Sequence, residues 1–304
     1  MPFVDLNVPY PSHGGDAGEL RKTVKTLYEF GYNAVAYNIT ATCKDANKTN
    51  PIKPIKLSEL GLPTTHKAGG SNSSLLSASG FPADHFEQLS RLTIVVDDLA
   101  ANYKIVWRTA VLATMGDLEL SWIAIRLAGL LNSTNPAHMS YDLLAVQPTT
   151  EKVFQVACGS YEVDIISLEM GSRLPFFLRP PSINMAISRG IYFEISYGAA
   201  IRDQTARKHL VSNAAALMRL TGGKNVIITS AAEKAMEVRG PYDVINLGHI
   251  FSMNPDRAKH ALDANCRAVR MHAATRRQTH LGVISMEPSG SLPAASKWKA
   301  DPES

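Results

Sequence analysis

Short apolar, β-branched runs recur along the chain, and most are followed by a stretch with helical spacing. Phe3 to Val8 predicts a strand. Asp16 and Glu19 then form a capping-box pair, and Leu20, Val24, Leu27 and Tyr28 share one helical face that Gly31 brings to a stop. Ala34 to Ile39, Leu92 to Val96, Tyr141 to Val146, Asp164 to Leu168, Ile191 to Ser196 and Asn225 to Thr229 predict further strands, with a short helix from Glu151. Asp243 to Leu247 fits either another strand or part of a helix. Strands that alternate with helices imply a parallel sheet, because parallel neighbours need a crossover and a helix supplies it. This many repeats favour an α/β fold closed into a TIM-like (β/α) barrel over an open doubly wound sheet. The turn after the first strand, Pro9-Tyr-Pro-Ser-His-Gly-Gly-Asp16, lacks the glycine spacing of a dinucleotide-binding turn, which removes the main support for the open form.

Two segments break this rhythm. Residues 41–88 are rich in Lys, Ser, Pro and Gly and read as a long flexible loop. Residues 99–135 carry Trp107 and Trp122 with little amphipathic period and read as an atypical insertion, an extra helical hairpin. Residues 283–304 read as a disordered tail. The three cysteines, Cys43, Cys158 and Cys266, are far apart in a chain without CxxC spacing, so free thiols are expected rather than a zinc knuckle or disulfide framework. No uncharged apolar run reaches the roughly 20 residues of a membrane span, and the N-terminus lacks the pattern of a secretory signal.

Charge changes the picture more than composition does. The net charge is only +4, but Gly171 to Gly282 holds 16 Lys/Arg against 7 Asp/Glu, while Met1 to Met170 holds 13 against 17. A basic half suits a polyanionic partner. Two predicted helices carry much of it. Asp203 caps a helix to about Leu220, with Ala206, Leu210, Ala214, Leu217 and Met218 on its buried face and Lys208 and Arg219 outside. A second runs from about Asp256 to Arg277, with Ala258, Leu262, Val269 and Ala273 as its apolar stripe. Lys259, Arg267, Arg270 and Arg277 fall within about one quadrant of this helix. Such a stripe can track phosphates or simply face solvent, and the residues leave both open.

Catalytic motifs are scarce. Carboxylates near predicted strand ends are Asp5, Asp97, Asp98 and Glu169. A metal-dependent hydrolase of this architecture would place His-x-His on the first strand, where this chain has Asp5-Leu-Asn7. No HExxH, GxSxG or phosphate-binding Walker loop occurs. An enzyme reading would be a metal-dependent phosphoesterase using Asp5, Asp97 and Glu169. Strand-end capping is the plainer role for these groups.

Several ordered blocks resemble one known family, the thirty-kilodalton-class barrel subunit of eukaryotic ribonuclease P and ribonuclease MRP. They are Val4 to Pro9, Gly31 to Asn38, Tyr141 to Pro148, Asp164 to Leu168, Ser172 to Leu178, Arg189 through Ala200 to Lys208, Gly223 to Ser230 and Arg239 to Gly248. The resemblance implies a single barrel over residues 1–282, similar to the polymerase-and-histidinol-phosphatase (PHP) hydrolases but without their metal ligands. It implies a non-catalytic subunit with no cofactor, binding and stabilising a catalytic RNA that removes the 5′ leader from precursor tRNA. In the MRP particle the implied reaction is precursor rRNA cleavage. The implied partners are that RNA, precursor tRNA indirectly, and a small ferredoxin-like protein subunit, in the nucleus and nucleolus and without membrane attachment. The expected RNA-binding residues are Arg173, Arg202, Arg207, Lys208, Arg219, Lys259, Arg267 and Arg270. Ion pairing is the competing role for each, for example Arg202 with Asp203 or Glu194. The segment 99–135 departs from the family's shorter connection, and part of it, Lys104 to Leu131, reads as a translated intron that sequencing of the mature transcript would reveal.

Overall fold

A computed structural model describes residues 2–11, 17–43, 45–46, 49, 52, 54–56, 59–60, 86–97, 140–280 and 284–285. The proposed intron, the 99–135 insertion, nearly all of the 283–304 tail, Asp16 and Asp98 lie outside them.

Seven parallel strands run in sequence order around a nearly closed barrel. They are β1 (Phe3–Pro9), β2 (Tyr32–Thr42), β3 (Glu87–Val96), β4 (Leu143–Pro148), β5 (Ile165–Ser167), β6 (Tyr192–Ser196) and β7 (Val226–Thr229). The helices are α1 (Ala17–Glu29), α2 (Glu151–Gly159), α3 (Pro180–Ser188), α4 (Gly198–Arg202), α5 (Gln204–Thr221), α6 (Pro241–Ile250), α7 (Pro255–Leu262) and α8 (Ala264–Gln278). A 3-10 turn, Ala235–Glu237, precedes α6, and β8 (Thr279–His280) pairs antiparallel with β9 (Ile284–Ser285).

Most expected elements form where the pattern places them, with informative exceptions. Asp243 to Leu247 is helical, inside α6, where Pro241 occupies the first helical turn. The range 41–88 overlaps strands at both ends, since β2 continues to Thr42 and β3 begins at Glu87. The single helix expected over 256–277 is two. It breaks at Asp263, whose backbone (φ −122°, ψ −82°) leaves the helical region. Tyr28, expected on the buried face of α1, is partly exposed and packs edge-on against Phe86.

Two apolar layers explain the barrel. The inner one is aliphatic, mixing alanine with branched side chains: Val4, Leu6, Ala34, Ala36, Leu89, Leu143, Ala145, Ile165 and Ile227 point inward from alternate strand positions. The outer one joins opposite-facing strand residues such as Val35, Leu92, Ile94, Val146 and Phe193 to the helices, including Leu210, Ala214 and Leu217 of α5. Cys266, Val269 and Ala273 of α8 belong to the inner layer, so the last helix plugs the end of the barrel where the strands begin. All three cysteines are free thiols and buried.

Between β7 and β1 the closure changes character. Ala231 N donates to Asn7 O at 3.0 Å, and Ser230 N donates to the Asp5 carboxylate at 3.2 Å. Gly198 sits against this seam, and a Cβ there would lie 2.6 Å from Ser230 O, so only glycine fits without movement.

Candidate nucleic-acid interface

The mouth of the barrel where the strands end is filled by side chains rather than open. Arg91 of β3 and Glu194 of β6 form an ion pair, and both side chains are 0% exposed. Arg91 also donates to Leu6 O at 2.9 Å and to Thr93 Oγ1 at 3.1 Å. Glu194 Oε1 accepts from Asn7 Nδ2 at 2.9 Å and from Thr229 Oγ1 at 2.7 Å. Asn7 Oδ1 accepts from Asn38 Nδ2 at 2.9 Å, and Asn38 Oδ1 accepts from Thr93 Oγ1 at 2.7 Å. Burial by itself pushes Glu194 up. The Arg91 charge and the hydrogen bonds from Arg91, Thr229 and Ser167 outweigh it and hold the carboxyl below its usual value. A buried guanidinium thus supplies the positive charge for the carboxylate inside the mouth.

Asp5 has a different environment. Its Oδ1 accepts from the backbone N–H of Asn7 and Ser230, its Oδ2 has no hydrogen-bond partner among the described residues, and burial raises its pKa to about 6. Asp97 is exposed beyond the end of β3. Glu169 lies past the end of β5, accepting from Gly171 N and Gln147 Nε2. Among the described residues, no three His, Cys, Asp or Glu side chains come together as a metal-holding group, so Asp5, Asp97 and Glu169 do not assemble the phosphoesterase site weighed from sequence.

The expected RNA-binding residues separate into two ends. Around the strand C-termini, the loop after β5 carries Arg173, exposed. Asn213 of α5 secures this loop by donating to Met170 O and to Ser172 O (2.8 Å). Arg207 and Lys208 lie exposed in the first turns of α5, whose N-terminus is capped by Asp203 accepting from Ala206 N at 3.0 Å. Arg207 Nε donates to Ala200 O at 3.0 Å. Arg202 is engaged by Glu237 at 2.9 Å and Glu233 at 3.2 Å, which ties α4 to the 3-10 turn. These are not the partners Asp203 and Glu194 considered from sequence.

At the opposite end, Arg219 is exposed in the last turn of α5 and Lys259 is half-buried on α7. Arg267 pairs with Asp263 at 3.0 Å and Arg270 with Glu87. Arg277 reaches Asp142 at 2.8 Å, while Arg276 and His272 both reach Asp164 at 2.9 and 2.8 Å. Lys259 therefore shares no continuous helix with Arg267 and Arg270, and the α8 arginines fasten the plug to the barrel. The expected uninterrupted cationic stripe does not form. Sequence reasoning missed Arg91 because the strand was expected to start at Leu92. A charge in inward phase between Leu89 and Thr93 was the available signal.

The comparisons with known proteins decide which family built this arrangement. The family model described as RNase P subunit p30 matches residues 123–278. The chain is also 38% identical over 283 residues to mouse "Ribonuclease P protein subunit p30", covering 93% of this chain and 90% of that protein. This chain belongs to the RNase P subunit p30 family. Baker's yeast "Ribonuclease P/MRP protein subunit RPP1" is 25% identical over 291 residues, 93% of this chain and 84% of its own length. A chain of a solved archaeal ribonuclease P with mature tRNA superimposes with a TM-score of 0.52 at 10% identity, covering 88% of this chain and 91% of that one. At that identity the likeness concerns the fold, and it agrees with a TIM-like barrel for this p30-family member.

Proposed function

We propose that this p30-family chain is an RNA-binding structural subunit of a ribonuclease P particle that meets RNA with the strand-C-terminal face of its barrel. The observation that carries the choice of face is the state of its cations. Arg173 and Lys208 are exposed without a carboxylate partner among the described residues, and Arg207 extends the same surface. Guanidinium and ammonium groups left free in this way neutralise phosphates and release counterions on binding. Arg219 and, more weakly, Lys259 offer a smaller contact at the other end. Arg202, Arg267 and Arg270 serve the reading less directly, because carboxylates already hold them.

In this reading the RNA performs 5′-leader removal from precursor tRNA, and the same chain serves precursor rRNA processing in the MRP particle, in the nucleus and nucleolus. The name of the yeast relative, a subunit of both particles, supports the dual role. The ferredoxin-like subunit is the proposed protein neighbour. A phosphoesterase reading gains no support, since its three carboxylates stay apart and the mouth holds the Arg91–Glu194 pair. The test is affinity recovery of a tagged chain from cells. Recovery of the ribonuclease P RNA, weakened in an Arg173→Ala/Lys208→Ala variant that melts like the wild type, is expected. Recovery unaffected by that variant would move the interface elsewhere.

A further inference from the structure

The loop after β5 ends in an arrangement that phosphate neutralisation does not use. Phe176 is buried, 5.1 Å from the Phe154 ring between centroids, while its neighbour Phe177 is 83% exposed. The loop is anchored on both sides of this pair. Asn213 secures its first half, and Arg179, paired with Glu151 at 2.9 Å, precedes the prolines that open α3. Phe177 is therefore displayed from a fixed base. A lone exposed apolar side chain needs no explanation. This one borders a cleft of about 280 Å³ lined by Arg173, Leu174, Pro175, Phe176 and Phe177. Its size falls just below the ~300 Å³ at which small-molecule pockets begin, which suits one planar ring system rather than a whole cofactor. The cleft combines an aromatic face with a cation. The loop's own carboxylate, Glu169, accepts from Gly171 N and Gln147 Nε2, and Arg173 has no ion-pair partner among the described residues.

Resting on the RNA-subunit reading above, we propose that this cleft is a subsite for one unpaired nucleotide, with its base stacked on Phe177 and its phosphate against Arg173. The charge favours RNA over an apolar protein segment, because a protein contact centred on Phe177 would leave Arg173 to be desolvated without a partner. Stacking on an aromatic ring tolerates any base, so the subsite selects unpaired over paired RNA rather than one sequence.

The test uses the full-length chain with a single-stranded oligouridylate and, in parallel, an RNA duplex of equal length, across a salt series. Phe177→Ala is expected to weaken single-strand binding roughly 5- to 150-fold while leaving the salt slope and duplex binding unchanged. Phe177→Trp is expected to restore affinity and to add tryptophan quenching on binding. Arg173→Ala is expected to reduce the salt slope by about one phosphate contact. Unaltered single-strand affinity in Phe177→Ala would overturn the subsite, and salt-dependent RNA binding by that variant would leave the broader reading standing. No salt-dependent binding of either RNA by any variant would overturn both. Loss of a protein subunit from a reconstituted particle, with RNA affinity intact, would overturn the subsite and assign Phe177 to a protein contact.

Discussion

At the end of the barrel where the strands begin, Arg270, Arg276 and Arg277 meet Glu87, Asp164 and Asp142, carboxylates at or just before the first residues of β3, β5 and β4. At the end where the strands finish, Arg173 and Lys208 stand in solvent. The two ends draw on similar basic residues in the same half of the sequence, yet at one the arginines of α8 hold a helix in place, with Arg219 left exposed beside them, while at the other Arg173 and Lys208 stay available and only Arg202 is tied to carboxylates. The buried carboxylates differ in parallel. Asp164 has a guanidinium, an imidazole and the N–H of Leu144, whereas Asp5 at the β7–β1 seam has the N–H groups of Asn7 and Ser230 and no cationic partner among the described residues. Charge density in a sequence therefore does not identify an interface. The supply of nearby acids decides which cations are left free to form one.

The comparison can be broken most forcefully inside the mouth. Glu194→Ala leaves Arg91 charged and buried without its partner, and should cost about 3–5 kcal/mol in urea unfolding. A much smaller cost would mean that water reaches the guanidinium. At the plug, Asp164→Asn removes the charge that Arg276 and His272 share and should cost about 2–3 kcal/mol, with thermal melting as the readout.

Asp5→Asn should act in the other direction. A carboxyl raised to about 6 in the folded chain binds more protons than it does unfolded, where it titrates near 3.9. Its destabilising effect is thus absent below about pH 4, grows as pH rises through 4 to 6, and is complete above that. The variant should gain about 1–3 kcal/mol at pH 8 and match the wild type below pH 4. A gap that does not vary with pH would remove the buried carboxylate from the account.

The smallest effects should lie among the arginines at the two ends. Arg270→Gln should cost about 1 kcal/mol and leave RNA affinity unchanged. Arg173→Gln should change stability by less than about 0.5 kcal/mol and weaken RNA binding most at low salt. If the two variants exchanged phenotypes, the proposed face would be inverted.

The helix α5 shows what was legible along the chain. Asp203 caps it, Ala206, Leu210, Ala214, Leu217 and Met218 are buried, and Lys208 and Arg219 are exposed, all as the periodicity indicates. The same reasoning failed on the last helix. The apolar stripe through Ala258, Leu262, Val269 and Ala273 is buried as expected, but the turn at Asp263 divides the helix and shifts the phase between Lys259 and Arg267. The partners of Arg270, Arg276 and Arg277 lie 183, 112 and 135 residues away. No local pattern announces such a pairing. Glu194 stands as a charge within an expected apolar strand and Arg91 just ahead of one, but only the barrel, closing their separation of 103 residues, makes them a pair.

Alternating short strands and amphipathic helices were enough to favour a barrel and to mark the faces that pack, because those properties follow from side-chain spacing along each element. Which cations remain free was decided by the tertiary structure alone. The availability of a charge depends on the carboxylates that folding carries to it from distant parts of the chain, and burial determines how strongly each meeting counts.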